Sequence, residues 1–422
     1  MKNHLLKVSI YVFIIASLLS CRQDNLSESG DATENNTSMF SRIGNERVVD
    51  GRLYFPNKEA LEQVYGLLIN SDYDSVAAYI DEKDFISLRP MVTESNEELI
   101  YYKTKERLSS LKMNNRFIES EAGSQINDIE SMIEEIDNLE NIIADDTFGA
   151  LLNSDGEIQV GEKIYKYTDV GIFEVDVENY RDLLVYLEQN NIADNFLYLT
   201  SESIQNQFIS LYPTDIMSPV DGVGGISFYP GTIGNPPNYS PNNPAVNPPV
   251  TDPNTQMANF INSLQNCDTY STWLQGLFGD TNMCTDKYED RRRVKTKAYN
   301  SNYYLVYHLG AKVKHQYRGW TGFWRKEDAD EIRLGVLTAT FAYDYASYFN
   351  PTPGHRTQYV FNGGNRLHFD ANTYWSPNFH PGLYTMTSYS IQSYPTIFKD
   401  DFFIEDILPI NFSSPNPNID YG

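Results

Sequence analysis

The residues with the clearest capacity for chemistry are His368 and Asp370, which lie two positions apart in a β-forming stretch. Side chains at this spacing share one face of a strand, so they could supply two metal ligands or a base with its orienting carboxylate. A polar pair without a chemical role has the same spacing, and we favour that interpretation. The sequence has no zinc-protease, serine-nucleophile, phosphate-loop or dinucleotide motif. We therefore predict no catalytic residue, no metal and no cofactor.

Three tryptophans give a better signal for ligand binding. Trp320, Trp324 and Trp375 recur near turn residues in the C-terminal part of the chain. Flat aromatic side chains stack on the apolar faces of sugars and are favoured in recognition surfaces generally. On a continuous strand, Trp320 and Trp324 would share one face. We favour the interpretation that this face forms core, and it would bind a ligand only if it is exposed.

Charge is distributed unevenly along the chain, whose formal net charge is −25. Residues 1–290 carry 18 Lys and Arg against 46 Asp and Glu, whereas residues 291–422 carry 14 against 11. So acidic a chain disfavours nucleic acid and anionic lipid head groups as partners. The one basic cluster runs from Arg291 to Lys297. It could bind an acidic glycan or the acidic N-terminal half of the same chain, and the charge balance favours the second.

The N-terminus has the features of an export signal. Lys2 and Lys7 precede an apolar run that is too short to span a membrane. The run ends in Leu18-Leu19-Ser20-Cys21, which resembles the lipobox of bacterial lipoproteins. The resemblance implies that residues 1–20 are a signal peptide and that Cys21 carries the acyl chains that anchor the protein in a membrane. An ordinary secretory signal with a nearby cysteine is the alternative.

Two further stretches, Asp50 to Phe55 and Gly156 to Lys166, resemble uncharacterised lipoproteins of Bacteroidetes. The resemblance implies an anchor in the outer membrane, with the body at the cell surface or on the periplasmic side, and it implies no activity. The polar residues 21–40 are typical of a flexible tether. With Cys21 acylated, Cys267 and Cys284 form an even pair, for which we predict a disulfide rather than a zinc site.

The body of the chain is predicted to have an α+β fold in two parts. Helical periodicity and a small β-hairpin occupy residues 41–212, and an aromatic-rich, antiparallel, sandwich-like β domain occupies residues 254–422. Residues 213–253 hold ten of the 20 prolines, which is typical of an extended linker.

Local patterns locate the elements of the first part. Asn57 is expected to cap a first helix, and Ser95 with Glu98 matches a capping box ahead of Leu99 and Tyr102. A third helix is predicted from an isoleucine series: Ile126, Ile129, Ile133, Ile136 and Ile143. The turn residues 153–156 precede the predicted hairpin, with residues 172–175 as a third strand.

These features together predict a lipid-anchored envelope protein that binds a glycan or protein ligand without catalysis. One alternative is an envelope hydrolase that acts on polysaccharide through carboxylates far apart in the chain. A second is a structural assembly subunit with an exposed edge strand. Exposed tryptophans would favour binding, carboxylates in a concave pocket would favour the hydrolase, and a long uncovered edge would favour assembly. The oligomeric state stays open.

Overall fold

The computed structural model describes residues 46–113, 126, 128–212, 217–231, 277–343, 354–364, 366–374, 386–399 and 402–405. All of them belong to one compact unit, Asn45–Gly422. They form helices and mostly antiparallel sheets, so the predicted α+β class is confirmed. The predicted signal peptide and tether, with Cys21, Cys267 and Trp375, lie outside the described residues.

The first sheet has seven strands. They are β1 Arg47–Val49, β2 Arg52–Phe55, β3 Glu157–Val160, β4 Lys163–Thr168, β5 Gly171–Asp176, β6 Ser218–Pro219 and β7 Ile226–Tyr229. Their order is β1-β2-β3-β4-β5-β7-β6, with β2 and β3 parallel and the other neighbours antiparallel. The predicted hairpin and its third strand are β3, β4 and β5. They form the middle of a larger sheet instead of the small isolated hairpin that we expected.

Strands β6 and β7 lie inside the segment predicted as a linker, residues 213–253. Pro219 falls in β6 at the edge of the sheet, where a missing backbone N–H leaves no ladder hydrogen bond unmade. The proline-free strand β7 pairs with β5. The linker predicted from proline density therefore includes residues that belong to the first sheet. The division of the chain into two domains stays a prediction.

Seven α-helices lie in the described part of the N-terminal half. They are α1 Lys58–Ile69, α2 Tyr73–Glu82, α3 Glu97–Met113, α4 Ile129–Asn138, α5 Asp146–Leu151, α6 Tyr180–Gln189 and α7 Glu202–Leu211. A 3-10 turn, η1 Leu139–Asn141, follows α4. The predicted cap of α1 is confirmed, because the Asn57 side chain accepts a hydrogen bond of 2.9 Å from the Ala60 N–H. The isoleucine series starts before α4 and ends beyond it, at Ile143.

The start of α3 differs from the prediction. The Thr93 N–H donates to Asn96 Oδ1 at 2.7 Å, and the Asn96 N–H donates to Thr93 Oγ1 at 3.3 Å. The capping pair is therefore Thr93 and Asn96, instead of Ser95 and Glu98. The buried positions of α3 include Ile100, Leu108 and Leu111, whereas Leu99 and Tyr102 are exposed.

The remaining strands form two antiparallel sheets. They are β8 Gly279–Glu289, β9 Arg292–Asn302, β10 Tyr307–Arg318, β11 Trp324–Lys326, β12 Ala329–Tyr343, β13 Gly354–Gly364, β14 Arg366–Tyr374, β15 Met386–Lys399 and β16 Phe402–Glu405. One sheet has the order β11-β10-β9-β8, with β14 also paired to β10, and the other has the order β13-β12-β15-β16. The polar strand β8 was not predicted, because its sequence lacks alternating apolar residues.

Two clusters of buried apolar residues pack the helices. One packs α3 and α4 around Phe323, which comes from the turn between β10 and β11. The other packs α6 and α7 on the first sheet around Phe173 and Phe228. Full burial of a phenylalanine contributes about 1.5–3 kcal/mol. Phe323 therefore ties the β10–β11 turn firmly to the helices.

Candidate functional site

An aromatic surface lies where the turn after β10 meets α3. We define it as Leu99, Tyr101, Tyr102 and Trp320. Trp320, Tyr102 and Leu99 are 69%, 55% and 45% exposed. The Tyr101 ring centre lies 5.9 Å from the Trp320 ring, with 44° between the planes, and 5.9 Å from the Tyr102 ring. Large apolar side chains clustered in solvent mark a candidate binding surface.

Trp320 is held on a turn, residues 319–323, that is fixed at both ends. Glu97 Oε1 at the start of α3 accepts hydrogen bonds from the Thr321 N–H at 3.1 Å and from the Thr321 hydroxyl at 2.6 Å. The Gly319 N–H donates to the Phe323 carbonyl at 2.8 Å, and the Phe323 side chain is buried. A ligand that stacks on Trp320 therefore has little loop ordering to induce, which lowers the entropic cost of binding.

We expect Gly319→Ala to lower the free energy of unfolding by about 1–3 kcal/mol. A β-carbon at Gly319 would overlap the Glu97 carboxylate, so the turn would lose its hydrogen bonds to α3. The change in the free energy of unfolding is measured by urea denaturation, with circular dichroism as the signal. Gly224→Ala is the matched control, since a β-carbon there meets open space. Equal unfolding free energies for the two variants would contradict the docked turn.

Trp324 does not belong to the aromatic surface, contrary to the prediction that it shares a strand face with Trp320. The chain turns at Gly322, where φ is +96°, so Trp320 lies in the turn and Trp324 begins β11. Trp324 is half-buried, and the Arg293 guanidinium lies over its ring, 4.1 Å from the centroid. This cation–π contact gives Trp324 a structural role.

A buried ion network joins the second sheet to the helices. We define it as Arg89, Asp137, Glu140, Asp146, Arg293, Lys295, Lys297, Lys312 and Lys314. Strand alternation places its β9 members on one face, and the β10 register sets Lys312 opposite Lys297 and Lys314 opposite Lys295. Like charges directly opposite each other destabilise a sheet. We call Lys295, Lys297, Lys312 and Lys314 the lysine ladder. The ladder is therefore stable only when carboxylates pack against it.

Glu140 in η1 neutralises the centre of the ladder. Its carboxylate accepts hydrogen bonds of 2.7 Å from each of Lys295, Lys297 and Lys314. Its side chain is 1% exposed, so these charge-assisted hydrogen bonds replace the whole of its hydration.

Asp137 and Asp146 neutralise the two ends of the ladder. Arg293 donates two hydrogen bonds to Asp137, at 2.6 and 2.7 Å. Asp146 in α5 is bonded by Arg89 at 2.6 Å and by Lys312. These contacts confirm that the basic cluster of β9 binds the acidic N-terminal half of the chain, although Arg292 pairs with Glu289 and Glu327.

Burial and the neighbouring charges shift the pKa values of several groups in the network. Burial alone would raise the pKa of Glu140, but Lys295, Lys297 and Lys314 hold it well below its usual range. The pKa of Asp146 is lowered in the same way. Burial lowers the pKa of Lys314 to about 7, with Lys297 and Lys295 adding to the shift against the carboxylates of Asp146 and Glu140.

A small pocket opens beside the network, with a volume of about 50 Å³. Its polar lining includes Arg89, Asp137, Glu140, Asp146, Lys314 and Gln316. Its apolar lining includes Phe323 and Trp324. The pocket thus combines an amine, a guanidinium and three carboxylates in a space large enough for a very small molecule.

A buried histidine–carboxylate pair lies outside this pocket. His308 Nδ1 is 3.0 Å from Asp145 Oδ2, which also accepts a hydrogen bond from the Tyr65 hydroxyl. Burial would raise the pKa of Asp145, but these hydrogen bonds and the His308 charge lower it to about 2. Tyr65, Asp145 and His308 are at most 5% exposed, so the group fastens β10 to α1 and α5 and does not face a ligand.

The residues predicted to do chemistry are placed by backbone register alone. His368 and Asp370 lie in β14 opposite Lys312 and Gly310 of β10, and Cys284 lies in β8 opposite Thr296. Their roles, including the disulfide to Cys267, stay predictions. Among the residues that the structure describes, no group of three or more His, Cys, Asp or Glu could hold a metal ion. No helix in that part of the chain is long and apolar enough to cross a membrane.

Sequence reasoning missed several residues of both sites. Tyr101 was not singled out, because an aromatic residue on a helix is usually core. Arg89, Lys312 and Lys314 were also missed. The alternation of Lys312 and Lys314 around Val313 repeats that of Lys295 and Lys297 around Thr296, and this repeat was the available signal.

The similarity of this chain to known proteins is low. No protein-family model matches it, and no curated protein matches it. A solved structure of a DUF4848 family protein from Bacteroides thetaiotaomicron is similar over 86% of this chain and 100% of that chain, with 10% identity and a TM-score of 0.17. A TM-score of that size carries no argument about fold or function.

Proposed function

We propose that this chain is an exported, lipid-anchored binding protein of the bacterial envelope and that its aromatic surface binds a neutral glycan. The observation that carries the proposal is Trp320, which is 69% exposed, held on a fixed turn and packed against Tyr101. An aromatic face of this kind stacks on the apolar face of a sugar ring. Cys21 provides the lipid anchor in the outer membrane, and residues 21–40 tether the body to it.

The charges near the aromatic surface favour a neutral glycan over an acidic one. Arg293, Lys295 and Lys297 are buried in the ion network, so they do not bind an acidic glycan at the surface. Glu98, in the first turn of α3, is exposed next to Leu99, and Arg318, two positions before Trp320, is exposed as well. These opposite charges balance, so they do not select an acidic glycan.

The size of the aromatic surface favours a glycan over a protein. A stable protein–protein interface buries about 1,200–2,000 Å² and draws on roughly 20–30 residues from each side. The aromatic surface has four residues, which match the few sugar rings that a short oligosaccharide presents.

For the whole chain, we infer a mainly helical part at residues 41–212 and a sandwich-like β domain at residues 254–422. A Cys267–Cys284 disulfide would staple the second part. The antiparallel pairing of β8 to β16 supports this arrangement.

The carboxylates of the pocket do not favour a hydrolase. A glycosidase needs one carboxyl group with a raised pKa, so that it is still protonated near neutral pH and can act as the general acid. The pKa values of Glu140 and Asp146 are lowered, and cations bind both groups. Assembly through β8 is disfavoured as well, because this edge strand carries Lys287 and Glu289, and charged side chains on an edge oppose strand addition.

We expect the lipid-free body, residues 22–422, to bind neutral oligosaccharides and Trp320→Ala to bind them at least tenfold more weakly. A stacked ring of this type contributes about 1.5 kcal/mol or more, which corresponds to about a tenfold change in affinity. Binding is screened on an array of hexasaccharides of glucose, mannose, galactose and N-acetylglucosamine, with polyuronic acids as the acidic set. Titration calorimetry then measures the affinity of the strongest ligand.

Leu211→Ala is the control for this experiment, because Leu211 is also exposed and apolar but lies on α7. It should bind as the wild type does. A Trp320→Ala variant with unchanged affinity, or a protein that binds only the polyuronic acids, would contradict the proposal. Absence of glycan binding together with Trp320-dependent capture of a protein would assign the surface to a protein ligand.

A further inference from the structure

The rings of the aromatic surface form a row in which neighbouring rings are tilted against each other. The Trp320 and Tyr101 ring centres lie 5.9 Å apart, and their planes meet at 44°. The Tyr101 and Tyr102 ring centres also lie 5.9 Å apart, and their planes meet at 71°. Each step along the row is comparable with the length of one hexose unit in a polysaccharide. The row therefore has room for consecutive sugars but does not form a flat platform.

The fold fixes the angle between Trp320 and Tyr101. Trp320 lies on the turn that Glu97 and the buried Phe323 hold against α3. Tyr101 is half-buried and packs against the apolar cluster between α3 and α4, so its ring cannot rotate without losing that packing. A glycan therefore meets two rings whose relative orientation is set before it binds, and this preorganisation lowers the entropic cost of binding.

The tilt of the rings selects the shape of the glycan. The C–H bonds of a sugar are attracted to the negative face of an aromatic ring, so a stacked sugar lies nearly parallel to that ring. Two consecutive sugars can stack on two neighbouring rings of the row only if the planes of the sugars are turned against each other. A chain of β-1,4-linked glucose is a flat ribbon, whereas a chain of α-1,4-linked glucose is a helix with turned planes. The tilted row matches the helix.

Exposed charged side chains flank the Tyr102 end of the row. Glu98, Lys105 and Glu106 lie four positions before and three and four positions after Tyr102 on α3, and all three are exposed. Residues at these spacings are neighbours on the surface of a helix. Their carboxylates accept hydrogen bonds from sugar hydroxyls, and the lysine amine donates them. A sugar stacked on Tyr102 therefore has hydrogen-bonding partners at its edges.

We propose that the neutral glycan of the aromatic surface is a helical, α-1,4-linked glucan, with one glucose stacked on Trp320 and the following ones on Tyr101 and Tyr102. This inference rests on the proposed function and adds the sugar and the linkage to it. The ring hydroxyls of glucose are equatorial, so they leave the C–H bonds on its faces open for stacking. Mannose and galactose each have an axial hydroxyl that interrupts one face.

The test compares maltotetraose with cellotetraose, which have the same composition and charge and differ only in the configuration of their linkages. Titration calorimetry with residues 22–422 should give an affinity for maltotetraose that is about tenfold higher or more, because only the helical chain can stack on several rings at once. Tyr102→Ala should weaken binding of maltotetraose by about fivefold, since one stacked ring is lost, and should change binding of cellotetraose by less than about twofold. Tyr102 is 55% exposed, so this variant leaves the core intact.

The outcomes separate this inference from the proposed function. Cellotetraose that binds as tightly as maltotetraose, with binding lost in Trp320→Ala, would overturn the α-linkage and leave a glycan-binding surface. Trp320-dependent binding of another neutral glycan with no binding of either tetrasaccharide would overturn the assignment to glucans in the same way. Absence of any Trp320-dependent glycan binding would overturn both the inference and the proposed function.

Discussion

Glu140→Gln is expected to lower the free energy of unfolding by about 3–5 kcal/mol, the usual cost of breaking a buried ion pair. The Glu140 side chain is 1% exposed and accepts hydrogen bonds from Lys295, Lys297 and Lys314. The substitution removes the negative charge but keeps the shape, so it leaves the lysine ladder short of a counter-charge in the interior. Urea unfolding at pH 7, followed by circular dichroism, measures the loss.

Glu134→Gln is the matched control, because Glu134 is exposed on the neighbouring helix α4. It should change the free energy of unfolding by less than about 0.5 kcal/mol. If Glu140→Gln is as stable as this control, the ion network does not hold the sheet against the helices.

The protein is expected to lose stability steeply as the pH falls from about 5 to about 2. The pKa values of Asp137, Glu140, Asp145 and Asp146 are all lowered in the folded state. Above the unfolded pKa of about 4 their stabilisation is complete. Below it the unfolded chain takes up protons first, so stability falls until the pH passes the folded pKa, which is about 2 for Asp145. A carboxyl group depressed by about two pKa units contributes about 2.6 kcal/mol in this way.

The urea midpoint measured at intervals from pH 7 to pH 3 tests this prediction. Asp145→Asn should be less stable at pH 7 than the wild type, and it should lose less stability on acidification, because one depressed carboxyl group is gone. Lys314 changes the free energy of unfolding at alkaline pH instead. Its folded pKa of about 7 lies below the unfolded value of 10.5, so its contribution to stability rises as the pH increases from 7 towards 10.5. A urea midpoint that does not change between pH 7 and pH 3 would contradict the network.

The elements that sequence reasoning predicted well have strong local signals. Asn57 caps α1 as expected, and the turn ahead of β3 rests on Gly156, whose φ is +73°. The pairing partners of these elements could not be predicted from local sequence, because hydrogen bonding between β2 and β3 joins residues about 100 positions apart. Strand β8 was missed for a related reason, since a strand without alternating apolar residues resembles a loop.

The candidate sites were predictable only in part. Charge balance correctly paired the basic cluster of β9 with the acidic half of the chain, because electrostatic neutrality does not depend on fold details. It did not identify Glu140 as the partner, since 57 acidic residues compete for that role. Trp320 was identified by type, whereas its separation from Trp324 depends on the turn at Gly322, and its partner Tyr101 comes from α3.

Binding of a fluorescent neutral oligosaccharide to isolated outer membranes that carry the full-length chain tests the central claim most directly. Three variants are compared: wild type, Trp320→Ala and Cys21→Ala. We expect labelled membranes for the wild type, unlabelled membranes with the same amount of anchored protein for Trp320→Ala, and glycan-binding protein released from the membrane for Cys21→Ala. Equal labelling of wild-type and Trp320→Ala membranes, or a Cys21→Ala protein that stays anchored, would contradict the proposal.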